Sequence, residues 1–120
     1  MKLLSRWFRR SPPAPGWIEA PILAARLAQN APQPLILDVR GPDEFFGPLG
    51  HIAGATNLPL DELPARLPDL AHNDRPVVVV CKTDRRSSIA AHQLSEAGAS
   101  DVWVLRGGME QWHELGLPIS

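Results

Sequence analysis

Three short apolar runs constrain this chain more than any other feature. They are Leu35–Val39 (LILDV), Val77–Val80 (VVVV) and Val102–Leu105 (VWVL). Each is too short for a helix, and continuous runs rich in β-branched residues suit strands covered on both faces. A shorter candidate strand covers 55–58. Segments with helical spacing lie between the runs. Pro21 is placed as a first helical residue, with Ile22, Leu23 and Leu27 on one side of a short helix that Pro32 and Pro34 close. The stretch 61–67 is short and amphipathic. The stretch 86–97 puts Ile89, Ala90, Gln93, Leu94 and Ala97 on one side, and Gly98 just beyond offers a left-handed cap. A last turn or two over 109–115 stops at Gly116 and Pro118. Strands alternating with helices predict an α/β domain: a small, mainly parallel central sheet with helices on both faces. In such sheets functional groups collect beyond the carboxyl ends of the strands. Asp38, Cys81 and Arg106 stand at or just past the ends of the three runs, so all three are expected on one edge.

The chain has 120 residues, which suits one domain, and its 44% apolar content suffices for one packed core. Its 12 basic and 13 acidic residues leave a formal charge of −1, which gives no general attraction for nucleic acid or acidic lipid. No apolar run approaches the roughly 20 residues a membrane helix needs. The opening MKLLSRWFRR mixes Lys2, Arg6, Arg9 and Arg10 with Leu3, Leu4, Trp7 and Phe8. Arg6 interrupts its apolar core and no small-residue cleavage site follows, so it is not read as a signal peptide. It reads as a tail in preference to a membrane-docking piece, and a cytoplasmic protein is expected. Ser11–Gly16 (SPPAPG) carries three prolines in six residues and resists both helix and sheet. The expected division is a basic, proline-rich arm over 1–15 and one domain over 16–120. His72, His92 and His113 have no metal-ligand spacing with one another or with Cys81, so neither metal nor organic cofactor is expected. Trp103 and Trp112 read as core and packing residues.

Cys81 is the only cysteine, which excludes an internal disulfide. It directly follows VVVV and opens a loop of Lys82, Thr83, Asp84, Arg85, Arg86 and Ser87 that runs into a helix. Amides at a helix N-terminus carry partial positive charge, and three full cations stand near the sulfur. Both favour the thiolate, which is the nucleophilic form. Loop amides can also form an anion-binding concavity.

Three segments resemble the rhodanese family, from about Trp17 to Ser120. The first is Asp38-Val39-Arg40, then Glu44-Phe45, then Gly50-His51-Ile52-Ala53-Gly54-Ala55 with Asn57 and Pro59. The second is Cys81 to Ser87 with Ala90, Ala91 and Leu94. The third is Val102–Leu105 with Gly107-Gly108, Trp112 and Gly116-Leu117-Pro118. The resemblance implies a single-domain sulfurtransferase that moves sulfane sulfur from thiosulfate or a persulfide donor to cyanide, a thiol or an acceptor protein. Cys81 would be the catalytic carrier. Lys82, Thr83, Asp84, Arg85, Arg86 and Ser87 would bind substrate. Asp38, with Arg40, would support the loop.

Loop length separates two activities on this fold. Cys81 and Arg86 give the six-residue C-x4-R loop of the family's sulfurtransferases. Related phosphatases and arsenate reductases use C-x5-R, and position 87 is Ser. Asp84 departs from the family, where Gly is common at that position. It places a carboxylate among cations, and it tolerates a left-handed backbone better than most residues. His51, in a glycine-flanked turn, reads as structural rather than as a general base. Two further readings stand beside the enzyme: a catalytically quiet module that docks a partner, and a relay that takes persulfide sulfur from another protein.

Overall fold

A computed structural model describes residues 14–120. Most of the basic arm therefore lies outside the described residues. The strands are β1 (Gly16–Ile18), β2 (Leu35–Asp38), β3 (Thr56–Asn57), β4 (Val77–Val80) and β5 (Val102–Leu105). They form one parallel sheet in the order β1-β5-β4-β2-β3. The helices are α1 (Ala20–Leu27), α2 (Pro42–Phe45), α3 (Leu63–Leu70), α4 (Arg85–Glu96) and α5 (Gly108–Glu114), with a 3-10 turn over Leu60–Glu62 ahead of α3.

The apolar runs are strands because both faces are covered. Val77 and Val79 of β4 join Leu37, Val102 and Val104 on one face, beneath Leu63 of α3 and Ala90, Ala91 and Leu94 of α4. Val78 and Val80 join Ile36 and Leu105 on the other, beneath Ala20 and Leu23 of α1 and Met109 and Trp112 of α5. An alternating pattern would have left one face wet; VVVV leaves none. Gly98 has φ +112 and follows the end of α4, where it frees the chain to turn back toward β5.

The structure adds two elements that the sequence pattern does not mark. β1 is an edge strand of three residues beside β5, and α2 is one turn. It also corrects the reading of Trp103 as a core residue. Trp112 is buried, but Trp103 is 36% exposed and lies over Gly16, where an added Cβ would come within 2.6 Å of its ring. β2 ends at Asp38, one residue earlier than the apolar run.

The chain leaves β2 for β3 on one side and leaves β4 for β5 on the other. The sequence order therefore reverses between β2 and β4, at the centre of the sheet. A crevice opens beyond the carboxyl ends at such a point. Asp38 ends one of these strands and Cys81 follows the other, as the apolar runs predict. Arg106 lies on the same edge but serves β1. Its amide bonds Ile18 O at 2.9 Å, its Nε bonds Glu19 at 2.6 Å, and its guanidinium lies 4.6 Å from the centre of the Trp17 ring.

Candidate active site

Cys81 is 1% exposed and sits on the floor of the loop between β4 and α4. Its sulfur accepts the Ser87 amide at 3.3 Å, and its thiol donates to the Ser87 hydroxyl at 3.2 Å. A hydroxyl both accepts and donates. The same Ser87 group can therefore serve the thiol and, by rotating, the thiolate. Ser87 is itself fully buried in the first turn of α4. The amide end of that helix is thus brought onto the sulfur.

The outer side of the loop is held by α5. The Met109 amide bonds Cys81 O at 2.9 Å, and the Glu110 amide bonds Lys82 O at 3.0 Å. These bonds occupy loop carbonyls with the free donors of a helix start. Gly108 makes that approach possible. Its φ is +57, and a Cβ there would strike the carbonyl oxygens of Cys81, Lys82 and Thr83. The pair Gly107-Gly108 was visible in the sequence, but its contact with the cysteine loop was not.

Asp38 and Arg40 form a buried unit, each 1% exposed. Asp38 Oδ2 receives Arg40 Nη2 at 2.8 Å, and Oδ1 receives Arg40 Nε at 3.0 Å and the Arg40 amide at 3.1 Å. The guanidinium continues to Gly50 O at 2.8 Å and Glu44 O at 3.1 Å. Asn57 donates to the carbonyls of Asp38 and Arg40 at 3.1 and 2.8 Å. Such saturation offsets the cost of burying two charges. The unit braces the turn after β2, and no hydrogen bond joins it to Cys81 among the described residues. His51 stacks on Phe45 with ring centres 3.7 Å apart, and its Nδ1 lies 2.8 Å from Phe45 O.

The four remaining loop residues and Arg86 differ in exposure and contact. Lys82, Thr83 and Arg85 are exposed. Asp84 is half-buried and precedes α4 with φ −148, ψ 0, without a side-chain cap. Its φ is negative, so the left-handed backbone considered for this position does not occur. Among the described residues, positive φ is confined to glycines. Arg86 is engaged elsewhere: Nη1 and Nη2 reach Glu44 Oε1 and Oε2 at 2.6 and 2.8 Å. This bidentate bond holds the Glu44 carboxyl down to about 2 from 4.5, against the opposing effect of burial, and pushes Arg86 up. Glu44 Oε1 also accepts the Gly41 amide at 3.3 Å, which starts α2. In the sequence Glu44 stands out only as part of a motif. The signal was present in its position after Asp38-Val39-Arg40, but its partner lies 42 residues away.

A cleft of about 410 Å³ flanks the loop, lined by Arg40, Glu44, Pro48, Leu49, Lys82 and Glu110. A family model described as "Rhodanese-like domain" matches residues 19–115. The chain belongs to this family. A sulfurtransferase from Allochromatium vinosum is 36% identical over 85% of this chain and 92% of its own length. Thiosulfate sulfurtransferase GlpE from Shewanella oneidensis is 44% identical over 66% of this chain and 75% of its own. The uncharacterized protein YqhL from Bacillus subtilis is 40% identical over 64% of this chain, a match that spans only 59% of the Bacillus protein. Among solved structures, a rhodanese-related protein from Thermoplasma volcanium superposes with a TM-score of 0.73 at 33% identity, covering 88% of this chain and 97% of that one. The rhodanese-like fold, with its five parallel strands, is therefore the frame that carries Cys81. Among the described residues there is no group of metal-ligating side chains, and no helix is long and apolar enough to cross a membrane.

Proposed function

We propose that this rhodanese-like domain is a sulfurtransferase in which Cys81 carries one sulfur atom as a persulfide. The observation that carries the reading is the placement of the Cys81 sulfur. It lies at the carboxyl end of a central strand, in a six-residue loop, in contact with the Ser87 amide and hydroxyl. In the first step the Cys81 thiolate attacks the outer sulfur of thiosulfate. The S–S bond of the donor breaks, sulfite leaves with the bonding pair, and Cys81 becomes the persulfide. In the second step an acceptor such as cyanide or a thiolate attacks the outer sulfur and takes it, returning the Cys81 thiolate. Neither step needs a metal or an external electron carrier.

The loop residues divide the work. Exposed Lys82 and Arg85 attract the anionic donor. The Ser87 amide and hydroxyl stabilise charge on the inner sulfur. The Asp38–Arg40 unit fixes the turn that faces the loop, and Glu44 fixes Arg86. Thiosulfate as donor is supported by the Shewanella relative, whose name states that activity. A loop of this size fits one sulfur on the cysteine better than a tetrahedral oxyanion.

Mass spectrometry of the intact protein tests the reading. Thiosulfate should add one sulfur atom, cyanide should remove it, and Cys81→Ser should show neither change. Continued turnover of thiosulfate by Cys81→Ser would sink the mechanism.

A further inference from the structure

Arg86 closes the C-x4-R loop, and its charge is already committed. Glu44 takes both terminal nitrogens at 2.6 and 2.8 Å. The carboxylate is held in turn: Oε1 accepts the Gly41 amide at 3.3 Å, and the Glu44 carbonyl accepts Arg40 Nη1 at 3.1 Å. Glu44 is therefore anchored to the buried Asp38–Arg40 unit on one side and grips the loop on the other. Its acidic neighbour Asp43 is exposed and has no ion pair among the described residues. Arg86 stands in the same loop as Cys81, five residues on, at the start of the helix whose Ser87 amide meets the sulfur.

We propose that Glu44 is a positioning residue that sets how strongly the Cys81 loop attracts anions, by holding the Arg86 guanidinium in a bidentate pair. The proposal rests on the reading of Cys81 as the nucleophile and deepens it. A paired guanidinium presents little net charge to an incoming dianion. Released, it would contribute a full charge to the loop that holds the sulfur. Lys82 and Arg85 then supply long-range attraction in the resting protein, and the Glu44–Arg86 pair moderates it. Such moderation lets sulfite leave once the persulfide has formed.

The test compares alkylation of Cys81 by anionic iodoacetate and by neutral iodoacetamide in the full chain. The ratio of the two rates reads charge at the sulfur and requires no sulfur transfer. Glu44→Gln should raise that ratio about three- to tenfold at low salt, an effect that shrinks as salt rises. Asp43→Asn removes the same charge one residue away and should change it by less than about twofold. Glu44→Gln combined with Arg86→Gln should return the ratio to that of the parent. The KM for thiosulfate should fall in Glu44→Gln. An unchanged ratio in folded Glu44→Gln overturns the proposal. So does an equal rise in Asp43→Asn, or a rise that persists without Arg86. If Glu44→Gln unfolds, Glu44→Asp, which keeps the charge but shortens the reach, should move the ratio the same way by a smaller factor, and no movement overturns the proposal. The two readings fail separately. A raised ratio in a chain that takes no sulfur from thiosulfate removes the sulfurtransferase reading alone. An unmoved ratio in a chain that turns over thiosulfate removes the role of Glu44 alone.

Discussion

Asp84 stands directly before α4 without bonding its first amides, so its carboxylate contributes charge to the loop and no cap. The cations of the same loop are Lys82 and Arg85, both exposed, and Arg86, which is paired with Glu44. A carboxylate there opposes an anionic donor, although solvent screens much of the effect at a half-buried position. Asp84→Asn should raise kcat/KM for thiosulfate by up to about tenfold at low salt, with less gain at high salt. A slower variant at low salt would mean that the carboxylate organises the loop. The negative φ of Asp84 simplifies this experiment, because Asn meets no special backbone demand. Glu44 provides a second test at this scale. Its carboxyl is lowered in the folded protein to about 2 from 4.5. A lowered carboxyl stabilises the fold fully above its unfolded value and loses that contribution as pH falls through its folded value. The melting temperature of the parent should therefore exceed that of Glu44→Gln near pH 6, and the difference should close between pH 4.5 and 2. The pair is about one third exposed, so the difference should be no more than a few degrees. A difference constant down to pH 2 would assign the loss to packing.

Elements meet the loop from two directions. α4 brings the Ser87 amide to the sulfur, and α5 brings two amides to the loop carbonyls. The second contact depends on the bare backbone of Gly108. Gly108→Ala must both strain a left-handed residue and push the loop away. It should cost about 1 to 3 kcal/mol in stability and lower the rate of sulfur uptake by at least about tenfold. Wild-type stability and uptake in this variant would show that the loop does not need α5. The sequence marked the span of α4, which Gly98 ends, but not its buried face: Ala90, Ala91 and Leu94 are buried, whereas Ile89 and Ala97 of the expected face are exposed. It did not mark α2, which is four residues long and is held by Pro42, the Gly41–Glu44 bond and the Arg86 pair rather than by a pattern. Nor did it mark β1, whose three residues become a strand only by pairing with β5.

For the molecule as a whole, the sheet begins at Gly16, directly after the proline-rich segment. A chain beginning at Gly16 retains every strand and helix described and should keep both cooperative unfolding and sulfur transfer. Loss of cooperative unfolding on that truncation would show that the arm belongs to the packed domain. Local structure was legible from the chain itself. Doubly covered strands need unbroken apolar runs, and a helix after a strand needs a loop. These properties depend on neighbours within a few residues, and they predicted the α/β class and the shared edge of Asp38 and Cys81. What tertiary structure decided was every partnership across long separations. Strand order put β2 beside β4, which brings Asp38 and Cys81 to the same crevice. Folding also set Glu44 against Arg86 and Gly108 against the carbonyls of Cys81 and its neighbours. No local pattern encodes these contacts, because residues far apart in sequence meet only when the sheet has closed and both of its faces are filled.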